Sequence, residues 1–155
     1  MRRPEPCESG VREGVPLFKT IMVPTDLQEK SRKALDVSVR LALREQSDIL
    51  LLHVIETIDD AEEGEFDAFY EKLRKRAMEK MNDMAARYAN QEVRIQRHIV
   101  LGKRAREIVA FARDKDVDLI VLSSHRIDRT DPAVGWATIS YRVAILAPCH
   151  VMMVK

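Results

Sequence analysis

Short apolar runs and helix-spaced apolar positions alternate along this chain. Phe18 to Val23 (FKTIMV) is a β-rich run that Pro24 stops, so it reads as a strand. From about Ser31, the residues Ala34, Leu35, Ser38, Leu41 and Ala42 fall at helical spacing. Ile49 to Ile55 (ILLLHVI) is apolar almost throughout, as a strand buried on both faces of a parallel sheet must be. Thr57 to Glu65 is acidic and irregular and predicts a loop. Phe66, Phe69, Tyr70, Leu73, Ala77, Met81, Met84, Ala85 and Tyr88 then recur at three- and four-residue steps, predicting a long helix with this stripe packed on the sheet.

Polar and apolar residues mix between Val93 and Val100, which suits a strand at or near a sheet edge. Gly102 ends it, and Ala105, Ile108, Val109 and Ala112 mark a short helix. Val117 to Leu122 (VDLIVL) reads as another buried strand. Ile139, Val143 and Leu146 predict a helix from about Thr138, stopped by Pro148, and Val151 to Val154 (VMMV) forms a last strand. The order β-α-β-α-β-α-β-α-β predicts one α/β domain, Rossmann-like or flavodoxin-like, with a parallel sheet and helices on both faces.

Composition adds bounds. At 155 residues the chain has the length of a single domain. A formal net charge of +1 supplies no global field for nucleic acid or a membrane surface, and no apolar run approaches a membrane span. Cys7 and Cys149 form no disulfide framework, which fits a reducing cytoplasm. Residues 1–16 hold three prolines and two glycines without periodicity, so a flexible tail is expected there and a domain over 17–155.

In open α/β sheets, ligands bind at the carboxyl ends of strands, where the strand order reverses. Two strand ends carry polar residues: Pro24-Thr25-Asp26, and Ser123-Ser124-His125. Neither a P-loop nor a Gly-x-Gly-x-x-Gly motif is present, no Gly-x-Ser-x-Gly elbow surrounds Ser124, and the four histidines lack metal-ligand spacing.

These residues resemble the universal stress protein family. KTIMVPTDLQEKSRKAL (19–35) is similar to that family's first strand and turn, and LLHVIE (51–56) to its second strand. DLIVLSSH (118–125) and APCHVMMVK (147–155) are similar to its fourth strand and its ending. The resemblance implies a five-stranded sheet in the order 3-2-1-4-5, with the switch point between the first and fourth strands. It also implies an adenine-nucleotide site, for ATP or a relative, with Mg bound only alongside the nucleotide. Carried over position by position, that site takes Pro24, Thr25, Asp26, Val54, Leu122, Ser123, His125, Arg126, Ala137, Thr138 and Ile139.

The glycines of the family's phosphate loop are replaced. Ser123, Arg126 and Ala137 stand at those positions, while Thr138 keeps the hydroxyl. Arg126 either fills the place of bare backbone or holds phosphate through its guanidinium. Asp26 either accepts hydrogen bonds from an adenosine or serves as a turn residue. Thr138 either meets the ligand or caps the helix that follows. Val54 has a core reading beside the ligand one, and Trp136 reads first as packing over the loop.

The expected function is that of a dimeric, cytoplasmic stress-response regulator that binds an adenine nucleotide in a modified site. The alternative is a protein-interaction module without nucleotide binding, with the Arg126–Trp136 loop as its partner surface. A slow nucleotide hydrolase lacks a paired acid and base. The edge of the last strand, Val151 to Val154, invites pairing with another chain, and the resemblance implies a homodimer about a two-fold axis. A tail folded over that edge is the other arrangement.

Overall fold

The computed structural model of the chain describes residues 15–58, 66–124 and 138–155. Strand β1 (Thr20–Pro24) leads through one 3-10 turn (Glu29–Ser31) into helix α1 (Arg32–Glu45). Then come β2 (Asp48–Ile55), α2 (Asp67–Ala86), β3 (Ile95–Leu101), α3 (Arg104–Asp114), β4 (Leu119–Ser123), α4 (Ile139–Leu146) and β5 (His150–Val154). All strands run parallel in the order β3-β2-β1-β4-β5, the arrangement expected from the sequence.

The period-two alternation of the strands sorts their side chains onto two faces. Ile21, Val23, Ile49, Leu51, Leu119 and Val121 meet Leu35 and Val39 of α1 and Met81 and Met84 of α2. Met22, Leu50, Leu52, Val54, Ile120 and Leu122 meet Ala105, Ile108 and Ala112 of α3 and Val143 of α4. Each fully buried aliphatic side chain contributes about 1.5–3 kcal/mol relative to exposure.

One carboxylate fixes the register of the two central strands. Asp118, just before β4, accepts at Oδ2 from the amides of Lys19 (2.8 Å) and Thr20 (2.9 Å). Its own amide donates to Thr20 O at 3.0 Å. Beyond this tie the ladder between β1 and β4 pairs only Ile21 with Leu119 and Met22 with Ile120, whereas β1 and β2 pair from Thr20↔Asp48 to Pro24↔Leu52. The central strands are therefore joined at their amino ends and unladdered towards their carboxyl ends.

Several expectations shift. β1 begins at Thr20 rather than Phe18, and the Phe18 ring instead meets His150 edge-on, with centroids 5.8 Å apart. The helical stripe is buried only along its second half. Ala77, Met81 and Met84 are enclosed, but Phe69 is 49% exposed and makes ring contacts with Phe66 and Tyr70. The first turns of α2 thus stand clear of the sheet. Leu146, one of the apolar positions that marked the helix, is 59% exposed on the last turn of α4. The tail at 1–14 and most of the 57–65 loop lie outside the described residues. β3 is an edge strand, as its mixed polarity predicts. Its His98 ring lies 5.1 Å from the Phe111 ring, and Nε2 is buried without a hydrogen-bond partner among the described residues.

This burial map makes a contrast. Met81→Ala removes a fully enclosed side chain and is expected to lower the unfolding free energy by about 2–5 kcal/mol. Phe69→Ala on the same stripe is expected to stay within about 1 kcal/mol. Urea titrations of both variants measure the difference, and equal losses would contradict it.

Candidate functional site

The crossover from β1 passes through α1 to β2, and that from β4 passes through α4 to β5, on opposite sides. The switch point therefore falls between β1 and β4, at the ends that are not laddered together.

Thr25 organises the β1 side. Its residue is 7% exposed, and every polar group it carries is committed inside the protein. Its amide donates to Leu52 O (2.8 Å), and its carbonyl meets His53 Nδ1 (2.9 Å). Its Oγ1 accepts from the Leu27 amide at 3.0 Å and lies 2.8 Å from Ser31 Oγ. The Ser31 hydroxyl gives its proton to Gln28 O at 2.7 Å, so the Thr25 hydroxyl supplies the proton between the two oxygens. Leu27 is held at φ 65°, a left-handed conformation that a residue with a side chain adopts only where its surroundings impose it.

This knot presents Asp26. The residue is exposed, and its Oδ1 accepts from the Gln28 amide at 3.0 Å, closing an Asx turn. Oδ2 has no hydrogen-bond partner among the described residues. The turn-residue reading of Asp26 is thus realised by one oxygen, and the other is left as an outward acceptor.

The β4 side is tied to the same turn. Ser123 donates through Oγ to Lys30 O (3.2 Å), and its carbonyl accepts from Ser140 Oγ (3.2 Å). Thr138 is the N-cap of α4 in extended backbone, and its Oγ1 accepts from the Tyr141 amide at 3.3 Å. The capping reading of Thr138 is therefore realised. Ile139 packs against the α3-side core.

Of the residues singled out in the sequence, the structure places Pro24, Thr25, Asp26, Ser123, Thr138 and Ile139 at the switch point, at the carboxyl ends of β1 and β4 and the start of α4. Pro24 and Thr25 are buried there, and Asp26 is exposed. Val54 and Leu122 are 6% and 5% exposed, with side chains in the α3-side core, so only their backbone could face a ligand. His125, Arg126 and Ala137, with Gly135 and Trp136, lie outside the described residues. Among the described residues no group of three His, Cys, Asp or Glu side chains is placed to hold a metal ion.

Two contributors went unread in the sequence, Ser31 and His53. The signal for His53 was available: it is the one polar residue in the apolar run of β2. Burial holds its imidazole below the ordinary value, and the Arg104 and Lys80 cations act the same way. The hydrogen bond to Thr25 O and the Asp26 carboxylate oppose them.

The fold and crevice define a flavodoxin-like α/β protein whose ligand position is the topological switch point. The universal stress protein family model matches residues 17–155, and the chain belongs to that family. It is 26% identical over 149 residues to the universal stress protein YxiE of Bacillus subtilis, covering 90% of this chain and all of that one. The structure of universal stress protein UspA from Lactobacillus plantarum is 22% identical and superimposes with a TM-score of 0.72 over 89% of this chain and 98% of its own. The universal stress protein from Archaeoglobus fulgidus in complex with dAMP is 15% identical, with a TM-score of 0.66 over 90% of this chain and 99% of that one. At such identities these two structures share the fold. No described helix is long and apolar enough to cross a membrane.

A pH dependence follows from two half-buried histidines, His53 and His98. Burial lowers the values of both His53 and His98 from the ordinary 6.5, with Lys115 adding to the effect at His98. As pH falls, the unfolded chain takes up these protons first. Stability is therefore full above about pH 6.5 and is progressively lost as pH falls below that value and through the lowered folded-state values. Denaturant titrations across that window check this, and His98→Phe is expected to shallow the slope. A flat profile in the wild type would contradict the burial argument.

Proposed function

We propose that this protein is a regulatory universal stress protein that binds an adenine nucleotide at the β1–β4 crevice. The observation that carries the reading is the Asx turn that engages Oδ1 of the exposed Asp26 at the switch point and leaves Oδ2 without a partner among the described residues. A carboxylate there accepts hydrogen bonds from ribose hydroxyls or an adenine amino group. The complex of the Archaeoglobus fulgidus protein with dAMP supports the class of ligand. Pro24 and the backbone of Val54 and Leu122 give apolar surroundings for the base. Ser123, Thr138 and Ile139 form the side taken by the phosphates, and the family resemblance assigns His125, Arg126 and Ala137 to the same ligand. The amides at the start of α4 favour an anion there. ATP with Mg is one form of this ligand, and the monophosphate is another. The protein acts in the cytoplasm by binding rather than by turnover.

Isothermal titration of ligand-stripped protein with AMP, cyclic AMP and ATP tests the reading. A dissociation constant near 1 µM, about −8 kcal/mol, is expected for at least one of them. Asp26→Ala is expected to weaken it by more than about tenfold, the worth of a hydrogen bond to a charged group, while the domain stays folded. Unchanged affinity in that variant would refute the placement. No binding up to millimolar by a folded protein would leave the interaction-module reading in its stead.

The homodimer belongs to the same proposal. Met152 and Met153 of β5 are 36% and 47% exposed, and Ile145 and Leu146 of α4 are 62% and 59% exposed. Apolar side chains of this size on an edge strand and the adjacent helix suit a second copy paired along β5. Met153→Lys is expected to convert the dimer to a monomer in sedimentation equilibrium. A monomeric wild type would sink this part.

A further inference from the structure

His53 is a polar ring in a strand whose neighbours are almost all enclosed. A group so placed needs a partner, and the one it has is the Thr25 carbonyl at 2.9 Å. A carbonyl only accepts, so the ring carries its proton on Nδ1 and keeps a lone pair on Nε2. The preceding residue, Leu52, takes the Thr25 amide through its carbonyl. Two consecutive residues of β2 therefore grip both sides of Thr25, immediately before Asp26.

We propose that His53 is a positioning residue for ligand binding, clamping the Thr25 carbonyl so that the Asp26 carboxylate keeps one direction. The inference rests on the crevice being the nucleotide site. Its mechanism is preorganisation. Leu27 at φ 65° makes the turn one that the backbone does not favour on its own. The Thr25 hydroxyl holds the amide of Leu27, and Asp26 holds that of Gln28. The Thr25–Asp26 peptide plane links these two bonds, and the His53 hydrogen bond is what fixes that plane from the β2 side. Without it the turn samples other orientations, and the ligand must order them on binding. The groups facing the ring are the Asp26 carboxylate from the turn, Lys80 from α2 and Arg104 from α3. Arg104 is itself paired with Glu56 at 3.0 Å. Burial keeps the ring neutral at pH 7, so it donates without setting a cation beside Asp26.

Amide replacements separate this role from packing. In His53→Asn the side-chain amide nitrogen falls where Nδ1 lies, so the donor is kept. In His53→Gln the longer side chain carries its amide towards the place of Nε2, so the donor is displaced. AMP titration is expected to show about tenfold weaker binding for His53→Gln and recovery to within about threefold for His53→Asn. Equal affinities for both variants, whether weak or unchanged, would overturn the proposal. Nitrogen-15 spectra of the wild type give a readout that needs no nucleotide. The expected ring tautomer is Nδ1–H, and the Leu27 and Gln28 amides are expected to exchange faster in His53→Gln than in His53→Asn. A wild type that binds none of AMP, cyclic AMP and ATP but shows this tautomer and exchange pattern would refute the nucleotide reading and leave the clamp standing. An Nε2–H tautomer, or the same exchange in both variants, would refute the clamp itself.

Discussion

The amides of Lys19 and Thr20, just before and at the start of β1, converge on one oxygen of Asp118, and the pairing of β1 with β4 depends on that convergence. A parallel pair of strands has no hairpin to set its register, so the register must come from side chains or from flanking contacts. Here a carboxylate at the amino end of β4 takes the amides of Lys19 and Thr20 and returns its own amide to Thr20 O. Hydrogen bonds to an ionised acceptor contribute about 1.5–3 kcal/mol each, well above a neutral ladder bond. With the strands tied at one end, the ladder between them stops at Met22↔Ile120, while that between β1 and β2 runs on to Pro24↔Leu52. The opening between β1 and β4 is thus at the carboxyl ends, opposite the tie.

Within that opening the labour is divided between adjacent residues. Thr25 is buried and satisfied at its amide, its carbonyl and its hydroxyl, so it presents no polar group outward. Asp26 is exposed and half satisfied. The division follows from solvation. A hydroxyl withdrawn from water must find partners inside, and each one unmatched costs about 1–3 kcal/mol. A carboxylate at the rim keeps its water until a ligand replaces it. The Thr25 position therefore sets geometry, and the Asp26 position is available for recognition.

The alternation of strands and helices was legible because burial on two faces leaves near-continuous apolar runs, as in Ile49 to Ile55. The strand order was legible only through the resemblance of the β1, β2, β4 and β5 segments to a family, since periodicity says nothing about which strands are neighbours. Phe69 was misread for one reason. Helical spacing marks a face, but it does not say how far the helix extends past the sheet that would cover it. The Thr25–Ser31 pair and the His53–Thr25 bond were not legible, because each joins residues that only the folded turn and the neighbouring strand bring together. Asp26 and Thr138 each had two readings in the sequence. The local one is realised in both, by an Asx turn and by an N-cap.

The replacement of glycine at Ser123 has a physical resolution on the described side of the loop. Glycine matters to a phosphate site where the backbone needs positive φ or where a side chain would intrude. Among the described non-glycine residues, positive φ falls on Leu27, Gln46 and Asp116, so Ser123 is not strained in this way. Its hydroxyl points to Lys30 O rather than standing free, and its carbonyl is engaged by Ser140. The same bonds tie the end of β4 to the turn that carries Asp26 and to the first turn of α4. A side chain that would obstruct an unmodified loop here joins the two walls of the crevice. On the proposed reading, the Ser123 site trades the flexibility of glycine for a fixed spacing between the adenosine side and the phosphate side.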